Sequence, residues 1–191
     1  VNAALGRIGY KMRVGSLLEG SDASKLALDI YSQTRDRQLC LKFWDFAERD
    51  TVLTLQKTAP PGGYMPPNTW TTAFPILPWV YQYALPADYL QFRSLRPSPI
   101  FIPEFDPRPV EYRIANDTTV PGKVLLCNLA GAILVYTAQI TNPSEWKPLF
   151  TETLIAALAR ELSAALAGLD VEKVETQDEG AADQIAIARI N

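Results

Sequence analysis

The chain has 191 residues, of which 48% are hydrophobic and 20% charged, enough to bury a core of ordinary size in one domain or one domain with a large insertion. Its 18 basic and 21 acidic side chains leave a net charge of −3, which provides no basic field for holding nucleic acid tightly. No histidine is present, so Ser-His-Asp and Cys-His catalysis, His-ligated metal sites and ordinary titration near neutrality are all excluded.

The longest apolar stretches, such as Leu154 to Ala159, are broken by Arg160 and Glu161 well short of the roughly 20 residues needed to cross a bilayer. Arg7, Lys11 and Arg13 interrupt the first apolar residues, so no signal peptide and a cytoplasmic site of synthesis are expected. Cys40 and Cys127 lack the C-x-x-C spacing of a zinc or redox site and are expected to be buried thiols in a reducing compartment.

In chain order, a short helix through Leu5 and Ile8 is expected to stop at Gly9, and a loop follows to Leu17, Leu18, Glu19 and Gly20. Ser21 or Asp22 then supplies the N-cap of a long helix running to about Ala47, with Leu26, Ile30, Thr34, Leu41 and Trp44 as its core stripe. From about Thr51 to Asn142 the texture changes to short Val/Leu/Tyr runs bounded by Pro, Gly, Asn and Asp. Strands are predicted at Val52 to Leu55, Tyr81 to Ala84, Gln91 to Leu95, Val110 to Ile114, Lys123 to Leu126 and Ala132 to Ala138. Val120-Pro121-Gly122 predicts a turn, because Pro presets one dihedral and Gly permits the next.

The stretch Ala59 to Pro78 holds eight prolines and glycines in Pro60, Pro61, Gly62, Gly63, Pro66, Pro67, Pro75 and Pro78, which rules out a regular helix or central strand. It reads as an exposed arm that orders on a partner. Tyr64, Trp70, Phe74 and Trp79 are its candidate anchors for a protein partner, since aromatics are enriched at protein interfaces. Beyond Pro143 and Pro148 the pattern returns to helix, with Leu154, Leu158, Leu162 and Leu166 at four-residue spacing up to Gly168. Asp170 is expected to cap a final amphipathic helix whose Val174, Ala181, Ile185, Ile187 and Ile190 are candidates for laying into a partner's groove.

These elements predict an α+β fold: a helical bundle formed by the N- and C-terminal helices, residues 1–50 and 143–191, with an inserted antiparallel β domain over 51–142. No cofactor or metal is expected. Gly15 to Ser21 has the glycine spacing of a phosphate loop but lacks its Lys, and Asp22 repels phosphate. The acidic pairs Asp45 with Glu48 and Glu104 with Asp106 are those a glycosidase could use, and they read more simply as solvated faces.

Particular motifs go further. Val1-Asn2-x-x-Leu5-x-x-Ile8-Gly9 and then Val14-x-x-Leu17-Leu18-Glu19-Gly20 with Asp22-Ala23 resemble the N-terminus of the tail tubular protein A family, the head-to-tail adaptors of short-tailed bacteriophages. Phe43-Trp44-Asp45-Phe46-Ala47, Tyr83-x-Leu85-Pro86-x-Asp88-Tyr89-Leu90, Leu134-Val135-Tyr136 and Trp146-x-Pro148-x-Phe150 continue the resemblance in order along nearly the whole chain. The Pro-rich stretch is longer than that pattern has. The resemblance implies a non-enzymatic virion protein forming a dodecameric ring at the head-tail junction. Its helical part would meet the portal protein and its β part a nozzle protein of the tail tubular protein B type, and double-stranded DNA would pass through without specific binding. A head-completion connector of a long-tailed phage, a virion-associated cell-wall glycosidase and a carbohydrate-binding module are the alternatives.

Overall fold

The structure is a computed structural model that describes residues 1–10, 13–97 and 110–166. It divides into two compact units, one of Val1–Gln38 with Trp146 onward and one of Leu39–Glu145. No helix among the described residues is long and apolar enough to cross a membrane.

The first unit carries three helices. α1 (Asn2–Arg7) buries Ala4 and Leu5 and ends ahead of Gly9, whose φ of +75° is open to a residue without Cβ. Asn2 then ties the following loop back: its side chain donates to the Val14 carbonyl and accepts from the Val14 amide, both at 2.9 Å. α2 (Asp22–Leu41) starts where the Ser21 hydroxyl accepts from the Ser24 amide at 3.2 Å, the expected side-chain N-cap. Of the stripe expected from sequence, Thr34 is buried within α2, Leu26 and Ile30 are half-buried and Leu41 is exposed. Ala23, Ser24, Ala27 and Thr34 are nearly inaccessible, while Leu41 is 69% exposed. Leu39 is fully buried as well, so the packed face combines small residues with this one leucine. The helix stops at Leu41, short of Ala47, and a separate single turn covers Asp45–Ala47.

α3 begins at Pro148 and is described over 148–166. Phe150, Leu154, Leu158, Leu162 and Leu166 line its buried side, with Ala157 and Ala159 between them. The buried Thr34 hydroxyl donates to Glu161 of α3 at 2.8 Å, and Arg37 pairs with the other oxygen of that carboxylate. Burial raises the Glu161 pKa, but the hydrogen bonds from Thr34 and Arg37 outweigh it and hold the group below its ordinary value.

The second unit holds two antiparallel sheets. One has the order β1-β7-β4, with β1 (Glu48–Val52), β4 (Tyr89–Arg96) and β7 (Ile133–Ala138); the other has the order β2-β3-β6-β5, with β2 (Thr54–Thr58), β3 (Tyr81–Ala84), β5 (Tyr112–Asn116) and β6 (Lys123–Cys127). The single strand predicted at Val52 to Leu55 is thus the junction of two strands in different sheets. Leu53, 5% exposed, sits between them, and its amide donates to the Ala132 carbonyl at 3.0 Å. The central strands are covered on both faces: Val124, Leu125, Leu126 and Cys127 of β6 and Leu134 to Ala138 of β7 are all buried. Gly122, at φ +85°, closes the β5–β6 turn. Phe92 of β4 stacks on Tyr112 of β5 with ring centroids 3.6 Å apart, joining the two sheets at their rims.

The expected helical bundle with an inserted β domain is therefore not what forms. Among the described residues seven strands stand against three helices, and α1 is under two turns long. Six of the largest fully buried side chains, Tyr83, Gln82, Val124, Leu125, Leu126 and Leu134, lie on strands, so the β residues carry a principal core and are not an appendage. The sequence reading overweighted the strong leucine periodicity of α3. Residues 170–191, where a final helix was expected, lie outside the described residues.

Candidate interaction site on the Pro-rich loop

The stretch expected to be an exposed arm that orders on a partner is stitched to itself. Where β2 ends, the Ala59 amide donates to the Val80 carbonyl at 2.7 Å and closes the neck of a loop. Turns at Gly63, Asn68, Phe74 and Trp79, each donating to the carbonyl three residues earlier, shape its interior. Pro66 and Pro78 fit this irregular path because no ladder bond is asked of their nitrogens. Asn68 donates to the Pro61 and Gly63 carbonyls at 3.1 and 2.8 Å.

All four candidate aromatics lie in or at the neck of this loop. The Tyr64 hydroxyl is 3.3 Å from the Pro75 carbonyl and 3.4 Å from that of Trp79, and its ring meets Phe74 edge-on at 6.2 Å. The Trp70 indole donates to the Pro75 carbonyl at 2.7 Å, yet the residue remains 41% exposed. With Met65 at 75% and Leu77 at 46%, the loop presents apolar surface to solvent while its polar groups are turned inward.

Sequence reasoning missed what holds the loop down. The Lys57 ammonium, on β2, donates to the Thr72 carbonyl at 2.8 Å, to the Thr119 hydroxyl at 2.7 Å and to the Asp117 carboxylate. Gln82 Nε2 donates to the same Asp117 oxygen at 2.6 Å, and the Thr119 amide donates to the other at 2.9 Å. Burial raises the Asp117 pKa, but the bonds from Lys57, Gln82 and Thr119 together prevail and hold the carboxyl far below the usual range. Three bonds use all three Lys57 donors. Above them lies a cavity of about 130 Å³ walled by Trp70, Phe74 and Ile76 over Lys57, Asp117 and Thr119. The arrangement is a clasp with an apolar lip. Its one sequence signal is the Asn116-Asp117-Thr118-Thr119 turn, whose Asp is placed to cap its own backbone.

The other sequence candidates resolve locally. The Gly15 to Ser21 loop is occupied by its own Glu19, whose carboxylate accepts from the Gly15 amide at 2.6 Å, the Ser16 amide at 3.2 Å and the Ser21 hydroxyl at 2.7 Å, so the position of a phosphate is already taken. Those bonds also hold the Glu19 pKa below its ordinary value. Glu48 pairs with Arg93, and Asp45 accepts from the Phe46 amide at 2.9 Å. Neither carboxylate opens onto the clasp. Cys127 is buried, whereas Cys40 is half-buried. Among the described residues no group of three or more acidic or cysteine side chains is placed to hold a metal ion. Val174, Ala181, Ile185, Ile187 and Ile190, and the pair Glu104 with Asp106, lie outside the described residues.

No protein-family model matches the chain, and no curated protein matches it.

Proposed function

We propose that this chain is a structural subunit of a phage head-to-tail adaptor, forming a dodecameric ring that joins the portal to a tail nozzle and lets DNA pass. The observation that carries the reading is that residues quoted for the family resemblance pair with one another. Asn2 of the first motif holds both backbone groups of Val14 in the second. Asp88 of the Leu-Pro-x-Asp motif accepts from Tyr136 of the Leu-Val-Tyr motif, 48 residues away.

The rest is compatible with assembly. In the polar cluster around Lys57 and Asp117 all three Lys57 donors and both Asp117 oxygens are engaged in hydrogen bonds. A net charge of −3 suits a channel wall past which the phosphate backbone slides without sticking. In this reading the unit of Val1–Gln38 with Trp146 onward serves the portal, aided by Val174, Ala181, Ile185, Ile187 and Ile190, and the β-rich unit serves the tail through the loop with Tyr64, Trp70, Phe74 and Trp79. The protein then resides in the virion at the head-tail junction after synthesis in the bacterial cytoplasm.

Electron microscopy of the purified chain mixed with portal particles tests this. Rings seated on portals are expected, and their loss on deleting residues 170–191 would place the portal contact there. Portals that stay bare with the full chain, or peptidoglycan clearing in a zymogram, would overturn the proposal.

A further inference from the structure

Copies in a ring must meet through different surfaces on their two sides, and the two sheets differ in whether they can supply them. In the order β2-β3-β6-β5 every neighbouring pair is antiparallel. With four strands, the two edges β2 and β5 run in opposite directions. A second copy related by rotation alone therefore brings its β2 beside β5 already antiparallel, and the alternation continues from copy to copy. The three-stranded sheet β1-β7-β4 has edges running the same way, so its repetition would break the pattern.

The edges are equipped accordingly. β1 and β4 carry the exposed Glu48, Arg49, Asp50 and Arg96, the kind of charge that guards an edge against pairing. β2 has one charged residue, Lys57, and the clasp turns it away from the edge. β5 has one, Arg113. Among the described residues no backbone group bonds to the outer side of either strand. The registers place Leu55, Tyr83, Leu125 and Ile114 on one rung, and Tyr112 follows Ile114 on the same face. Leu55 and Tyr112, 50% and 40% exposed, thus stand at opposite rims of one sheet face.

We infer that the β2 edge of each copy pairs with the β5 edge of the next, making the four-stranded sheet continuous around the ring, with Leu55 and Tyr112 of adjacent copies packing across each junction. This rests on the ring proposed above and names the surface that closes it.

Two measurements test it. In wild-type rings, free or on portals, outward amides of β2 and β5 should exchange with solvent at least about tenfold more slowly than in the monomer. Leu55→Asp should block one edge and Tyr112→Asp the other. Each variant alone should remain monomeric with a cooperative thermal transition, and an equimolar mixture should yield dimers and nothing larger, because only one junction is intact. Rings whose β2 and β5 amides exchange at the monomer rate, or variants that assemble alone, overturn this inference and leave the adaptor reading standing. A wild-type chain that never assembles overturns both.

Discussion

The Tyr136 hydroxyl donates to Asp88 Oδ1 at 2.9 Å while the Tyr136 ring stacks on Tyr89 at 6.0 Å. The Asp88 carbonyl meanwhile accepts from the Gln139 amide at 2.7 Å, so one turn residue fixes both the start of β4 and the end of β7. Tyr136→Phe keeps the stack and removes the donor, leaving a carboxylate oxygen without its partner in a covered position. A loss of about 1–2 kcal/mol in unfolding free energy is expected from urea denaturation.

The same pair sets the alkaline limit. Burial, reinforced for Tyr136 by the Asp88 charge and hydrogen bond, pushes both Tyr89 and Tyr136 up to about 12. A folded-state pKa raised above the unfolded value of about 10 gives stability that is complete below pH 10 and lost as pH climbs toward 12. The thermal midpoint should fall steeply across that window. The Tyr89→Phe, Tyr136→Phe double variant should show a shallower fall, and an equal slope would refute the assignment.

At the acid end the sign reverses. Asp117 is held far below the unfolded carboxylate value, so its contribution is present above about pH 4 and drains away as pH falls further. Asp117→Asn leaves Lys57, only 12% exposed, without its counter-charge and should cost about 3 kcal/mol at neutral pH. The variant should also lose part of the acid dependence. Because Lys57 holds the loop through Thr72, limited proteolysis between residues 59 and 78 should quicken in the same variant.

Leu158 is 1% exposed on α3, between Leu154 and Leu162. Leu158→Asp buries a carboxylate with no partner and should cost several kcal/mol, on the order of the whole stability of a domain, so the variant is expected unfolded by circular dichroism. An unchanged thermal midpoint would contradict the packing described.

How far the sequence foretells this molecule depends on where each element's partners lie. β3 was legible as Tyr81 to Ala84 because Pro78 and Pro86 bracket it, and β6 because the Pro-Gly turn delivers the chain to Lys123. β1 was not, since Glu48-Arg49-Asp50 looks like solvated loop until Arg93, Arg96 and Glu145 are brought opposite by a register that local pattern does not encode. Likewise the packed face of α2, Leu39 excepted, is written mostly in small and polar residues, which carry little hydrophobic signal. The aromatics of the Pro-rich loop were visible as a group, but the clasp beneath them joins Lys57 to Asp117 across 60 residues, and its one local signal, the turn at Asp117, does not point to Lys57. The fold class was misjudged for a related reason, as helical periodicity is loud in one sequence and sheet pairing is silent.

Leu53 has a mechanical consequence. The backbone runs from β1 through this one buried residue into β2, so the two sheets share a covalent splice with no slack between them. A pull along β2 is handed directly to β1, whose rungs from Glu48 to Val52 against β7 then resist together in shear and do not peel one at a time. Lengthening that splice by a few glycines would leave both sheets intact and uncouple them, lowering the force at which the unit yields without lowering its melting temperature in proportion.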